Sequence, residues 1–144
     1  MPMIVSWPEK IKKVIVSDHI CAAWDIFPTM CDISGLQKPD DLDGISLFPL
    51  ITGKGKQSEH KYLYWEFPER GGQQAVRLNN WKGIRDSTRN GKMKIELFNL
   101  ENDITEETDL SDKYPEIIRQ IEEIMIAEHE KPEVERFNIF TRNN

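Results

Sequence analysis

Cysteine is scarce in this sequence: Cys21 and Cys31 are its only two among 144 residues. They form no Cys-x-x-Cys pair, and no histidine stands beside them at zinc spacing, so a zinc knuckle has no ligand set here. The simplest reading is two free thiols inside the fold, with a disulfide or a ligand role as alternatives. Positive charge is outnumbered: 19 Lys and Arg against 25 Asp and Glu leave a net charge of −6. A chain of that sign lacks the basic face that phosphate neutralisation needs, so nucleic acid is not expected as its main partner. Nor is there a polybasic patch for an anionic membrane surface. No apolar run approaches the roughly 20 residues of a membrane-spanning helix, and no membrane partner is expected. The opening residues, MPMIVSWPEK, lack the positive start and apolar core of a signal peptide. That describes these residues and nothing that precedes them.

What is present can build a core. Hydrophobic residues make up 38%, with six Phe, three Tyr and four Trp, and charged residues make up 31%. The length fits one domain, or one domain with a piece of another.

Met1 to Trp7 is rich in Ile and Val and predicts a short strand ended by Pro8. VIVSDHICAA, from Val14, is again strand-like at its start. Pro28 is tolerated in a helix only in the first turn, so a helix must begin just before it. Asp25 is its expected N-cap and Gly35 its stop, with Ile26, Phe27, Met30, Cys31 and Ile33 on its buried side. LQKPDDLDGIS is loop chemistry. Leu47 to Ile51 predicts one helical turn stopped at Gly53, and 53–60 a polar connector.

KYLYWEF (61–67) has the aromatic density of a strand. QAVRL (74–78) and WKGIR (81–85), joined by Asn79-Asn80, read as a hairpin. Asn90-Gly91 signals another turn before a fourth strand, IELFNL (95–100). Lys113 to Glu130 then predicts a helix capped by Ser111 or Asp112, with Pro115 in its first turn and Pro132 ending it. Ile117, Ile121 and Ile124 at i, i+4 and i+7, flanked by Ile118 and Met125, make one apolar stripe that can cover a small sheet. Trp7, Trp24 and Trp81 read as core or interface anchors, His60 and His129 as surface groups, and residues 101–112 as a solvated acidic loop with a capping role.

The expected class is α+β: a four-stranded antiparallel sheet packed by a C-terminal helix. It divides as 61–144, a complete unit, and 1–60, a strand and helix remnant whose strands have no partners of their own.

The motifs come in a fixed order: IVSWPEKI with VSDH, WDIFPTMCDISG, DLDGISLFPLITG, YLYWEF, QAVRLNNWKGIR, and IELFNLENDITEETDLSDKYPEI. Together they resemble the C-terminal region of type I sulfatases, the arylsulfatase-like enzymes of the alkaline phosphatase superfamily, over residues 3 to about 125. The resemblance implies that 1–60 closes the α/β catalytic domain and that 61–144 is the C-terminal subdomain. It implies hydrolysis of sulfuric esters, on sulfated glycans or aryl sulfates, by a longer periplasmic or secreted protein. That family uses calcium and a formylglycine made from the cysteine of Cys-x-Pro-x-Arg. Neither cysteine here fits: Cys21 precedes Ala-Ala-Trp-Asp, and Cys31 precedes Asp-Ile-Ser-Gly. Asp40-Asp41 and Asp18-His19 match calcium-ligand dipeptides in type but not in place. This chain alone is therefore expected to be inactive and to depend on an N-terminal catalytic domain, without which its exposed 1–35 segment favours self-association.

What the chain can contribute is on the substrate side. In the loop from Glu66 to Arg77, Gly71-Gly72 allows close backbone approach. Glu66, Glu69, Gln73, Gln74 and Arg77 can hydrogen-bond sugar hydroxyls, and Trp65 can stack on a ring. The plainer reading is a hairpin turn with solvated charges and a core Trp. His19 is a further candidate near the junction, or a structural histidine. Alternatives of other classes are a non-catalytic glycan-binding or protein-interaction module and a fragment of a related phosphodiesterase.

Overall fold

The computed structural model describes residues 3–140, and these divide into two compact units, Met1–His60 and Lys61–Asn144.

In the first unit, α1 (Ile26–Ser34) follows a 3-10 turn (Ala23–Asp25) and ends at Gly35, whose φ of 69° is the left-handed conformation that glycine adopts cheaply. Asp25 does not cap α1 as expected. Its side chain turns the other way, accepting from the Ala22 amide at 2.7 Å and the Ile45 amide at 2.7 Å, with His60 Nε2 2.8 Å from Oδ1. Thr29, one turn on, donates its hydroxyl to the Asp25 carbonyl and accepts the Leu47 amide at 2.8 Å. The buried side of α1 is thus Asp25, Pro28, Thr29 and Cys31, lying against the 44–47 segment. Ile26, Phe27, Met30 and Ile33, expected inside, are exposed. His60, expected at the surface, is 9% exposed beside a carboxylate that is fully buried. Gly44 is required by the same contact, because a Cβ there would collide with the Trp24 carbonyl. A second helical turn, α2 (Phe48–Thr52), ends at Gly53 as its glycine predicts.

The strand expected near residues 3–7 and the one starting at Val14 do not form among the described residues. A strand is defined by its ladder, and neither segment meets a partner. Met1 and Pro2 lie outside the described residues. Ile4, Val14 and Val16 are consequently 90% or more exposed.

The second unit is the meander. Strands β1 (Leu63–Phe67), β2 (Gln73–Leu78), β3 (Trp81–Asp86) and β4 (Glu96–Asn99) pair antiparallel in sequence order. Helix α3 (Pro115–Ala127) covers one face. It is shorter than the sequence predicts: Tyr114 stands at the N-cap without a side-chain bond, and the helix stops at Glu128, four residues before Pro132. Ser111 lies in the preceding turn, its amide held by Asp109. The stripe itself is where the periodicity puts it. Ile121 and Met125 are buried with Val76, Ile95 and Leu97, and Ile117, Ile118, Ile124, Trp81 and Tyr114 pack around them. Each fully buried side chain of this kind contributes about 1.5–3 kcal/mol. Gly83 lets the helix approach, since a Cβ would stand 2.7 Å from Ile121 Cγ2. No helix among the described residues is long and apolar enough to cross a membrane.

Candidate substrate-facing loop

The β1–β2 connection, 68–72, is a tight turn built on Arg70, Gly71 and Gly72 at φ 51°, 92° and 82°. Three successive left-handed residues are strained for anything but glycine, and the neighbouring turn holds them. The amides of Thr88 and Arg89 donate to the carbonyls of Gly72 (3.2 Å) and Gly71 (2.9 Å).

Strand alternation divides the candidate residues between two faces. Glu66 pairs across with Gln74, which pairs with Arg85, and this row lies on the α3 side with Tyr64, Val76, Gly83 and Leu97. Gln74 is buried. Its amide donates to the Tyr64 hydroxyl at 2.9 Å, and its carbonyl accepts from Arg85 Nη1 at 3.1 Å. Arg85, 2% exposed, also reaches Glu122 at 2.9 Å and the Met93 carbonyl at 3.2 Å. Tyr64 donates to Glu66, and His129 Nδ1 stands 2.8 Å from the same Glu66 oxygen. Burial, and then the Glu66 carboxylate, push the Tyr64 hydroxyl well above its ordinary value against the opposing Gln74 amide, so it stays a proton donor to Glu66. His129, read from the sequence as a surface group, belongs to this row.

The other face carries Trp65 and Phe67, 38% and 46% exposed, with Gln73, Ala75, Arg77, Ile84 and Asp86 in register. Gln73 donates to Asp86 at 2.9 Å, and Arg77 Nε donates to the Asn79 carbonyl at 3.2 Å. Glu69 is exposed at the tip of the turn. His19 belongs to the first unit, where its amide bonds the Ser17 hydroxyl at 3.1 Å and its side chain lines a groove of about 860 Å³ with Trp7, Ile11 and Leu50. The hairpin therefore leaves Trp65 and Glu69 exposed and Gln73 and Arg77 half-buried. Glu66 and Gln74 are tied into the polar row beneath it.

Residues 1–131 match the family of the N-sulphoglucosamine sulphohydrolase C-terminal region. The chain belongs to that sulfatase family. Human arylsulfatase K is 32% identical over 133 residues, a stretch that covers 85% of this chain and 24% of the relative. The solved structure of a 2-O GAG sulfatase superposes with a TM-score of 0.61 at 25% identity, covering 72% of this chain and 23% of that one. The phosphonate monoester hydrolase of Agrobacterium radiobacter shares the fold at 22% identity and a TM-score of 0.59, covering 77% and 25%. This sulfatase C-terminal region thus spans about a quarter of the length of the relatives it matches.

Among its described residues no three His, Cys, Asp or Glu side chains come together as a metal site. Cys31 is buried in α1 and Cys21 is partly exposed, both as free thiols. Their sequence neighbours do not fit the formylglycine motif.

Proposed function

We propose that this region serves a longer sulfatase, one that hydrolyses sulfuric esters of sulfated glycans, and that it forms the substrate side of the cleft. The observation that carries the reading is the family match over residues 1–131. The reacting groups, a formylglycine nucleophile and calcium, belong in this reading to an N-terminal catalytic domain, because a sulfuryl transfer needs a nucleophile in line with sulfur and cations on its oxygens. The present residues supply recognition. Trp65 offers a ring face to a sugar, Arg77 a cation for a sulfate, and Glu69 and Gln73 hydrogen bonds to hydroxyls. Glu66 and Gln74 support them from beneath.

Two measurements test this. Protein expressed with the upstream reading frame, including a Cys-x-Pro-x-Arg motif, should hydrolyse 4-methylumbelliferyl sulfate, whereas the 144-residue chain should not. Turnover by that chain, purified free of other enzymes, would refute the division of labour. In the longer protein, Trp65→Ala and Arg77→Ala should raise KM for a sulfated oligosaccharide about tenfold and leave aryl sulfate turnover unchanged. Equal effects on both substrates would remove the loop from the cleft. The fold shared with a phosphonate monoester hydrolase supports a second reading, a related phosphodiesterase, which the upstream nucleophile decides: cysteine for a sulfatase, Thr or Ser for a phosphodiesterase.

A further inference from the structure

The last described residues, 134–140, lie beyond the family match, which ends at residue 131. Residues 134–137 are exposed, yet Ile139 is fully buried. It sits against Gly72: a Cβ on that glycine would stand 3.1 Å from Ile139 Cβ. The Thr88 hydroxyl, itself buried, donates to the Ile139 carbonyl at 2.6 Å. Arg89 Nε donates to the Asn138 carbonyl at 3.0 Å, and its guanidinium also reaches the Arg136 carbonyl.

Thr88 and Arg89 are the two residues whose amides hold the Gly72 and Gly71 carbonyls. Their main chain grips the 68–72 turn, and their side chains grip the tail. The tail makes a second contact, at the β1 residue Glu66 through His129. The Phe140 ring meets His129 edge-on at 4.8 Å, and His129 is the partner of Glu66. A turn with three left-handed residues relaxes unless its surroundings hold it.

We infer that residues 134–140 are a strap that fixes the 68–72 turn and the Glu66 carboxylate, which makes Thr88, Ile139 and Phe140 positioning residues for the sugar-facing loop. The role toward sugar rests on the proposed function; the strap itself does not.

The test uses amide hydrogen exchange by NMR on the 144-residue chain, with no ligand added. Thr88→Val keeps the shape of the side chain and removes the hydroxyl. In that variant and in Ile139→Ala, the Arg89 amide should exchange about tenfold faster or more, through local opening of the turn. The Val76 and Leu97 amides should keep their rates, and Thr88→Ser should restore the slow Arg89 amide. Phe140→Ala should shift the His129 ring resonances and leave the Arg89 amide slow. An Arg89 amide as slow in Thr88→Val as in the parent overturns the inference. Should Ile139→Ala loosen the core amides as well, the comparison of Thr88→Val with Thr88→Ser decides alone. Loss of the glycan-specific KM effect would defeat the cleft reading and leave the exchange result standing.

Discussion

Replacing Asp25 by alanine should open the first unit and spare the second. The carboxylate is fully buried and serves three donors at once: the Ala22 and Ile45 amides, each at 2.7 Å, and His60 Nε2 at 2.8 Å. A hydrogen bond to a charged group contributes about 1.5–3 kcal/mol, and a buried donor left without a partner loses its solvation as well. The sites around Ala22 and Ile45 are only partly buried, so water will recover some of the loss. The expected cost is about 3–5 kcal/mol, a large part of the roughly 5–15 kcal/mol that holds a domain folded. The bond from Ile45 ties residues twenty positions away to the start of α1, so the 36–47 loop should be what comes loose. Hydrogen exchange at the Leu47 amide, which bonds Thr29 rather than Asp25, reports this without being a direct casualty of the substitution. It should accelerate strongly, while Val76 and Leu97 in the sheet stay protected. Asp25→Asn keeps one carbonyl acceptor but places an amide where a donor points, so it should lose at least half as much. A cost below about 0.5 kcal/mol for Asp25→Ala, the range of ordinary surface substitutions, would refute the clamp.

Three further outcomes are expected. Gly83→Ala should destabilise the second unit by about 1–3 kcal/mol through overpacking against Ile121, and a double-mutant cycle with Ile121→Ala in urea titrations should show the pair coupled. Burial opposes ionisation of Asp109, but Lys94 and the amides of Leu97 and Ser111 hold its carboxyl well below the usual carboxylate range. A depressed folded value means stability that is complete above the unfolded value near 4 and is lost as pH falls below it, so Asp109→Asn should flatten the acid limb of a stability–pH curve measured below about pH 4. Finally, the exposed Ile4, Val14 and Val16 should drive concentration-dependent association of the chain by light scattering, and Val14→Lys with Val16→Lys should reduce it; strictly monomeric behaviour of the parent at high concentration contradicts this.

The sheet and its helix were legible because they obey local rules. Asn79-Asn80 joins β2 to β3 as its turn chemistry predicts, and the isoleucine stripe of α3 meets the sheet face that alternation selects for Val76 and Leu97. The first unit was less legible, because its decisive bonds are long in sequence. Nothing near Asp25 announces that its partners are Ile45 and His60, so it read as a helix cap and His60 as a surface group. The candidate loop was legible as a segment but not as a site. Glu66 and Gln74 look like loop residues in the sequence, yet in strands their parity turns them toward α3, where Tyr64, Arg85 and His129 take up their hydrogen bonds. Arg85 was missed altogether. The available signal was its spacing of two from Gly83, the residue that admits the helix.

The same bonds show what the short motifs of this chain do in the fold. In WDIFPTMCDISG, Asp25 and Thr29 take the amides of Ile45 and Leu47 in DLDGISLFPLITG, and Gly44, just before Ile45, is the position where a side chain would strike the Trp24 carbonyl. In QAVRLNNWKGIR, Val76 and Gly83 face Leu97 and Ile121. In FNLENDITEETDLSD, Asp103 gathers the amides of Glu107 and Thr108, and Asp109 those of Leu97 and Ser111. Each motif is one half of a clamp whose other half is another motif or a fixed turn. Substitution at these positions should therefore act first on stability, and only through stability on turnover. Substitution at Trp65, Gln73 or Arg77, on the face away from α3, should under the proposed function act on substrate recognition more than on stability. That separation, measured as denaturation midpoint against KM, distinguishes the scaffold of this region from its working surface.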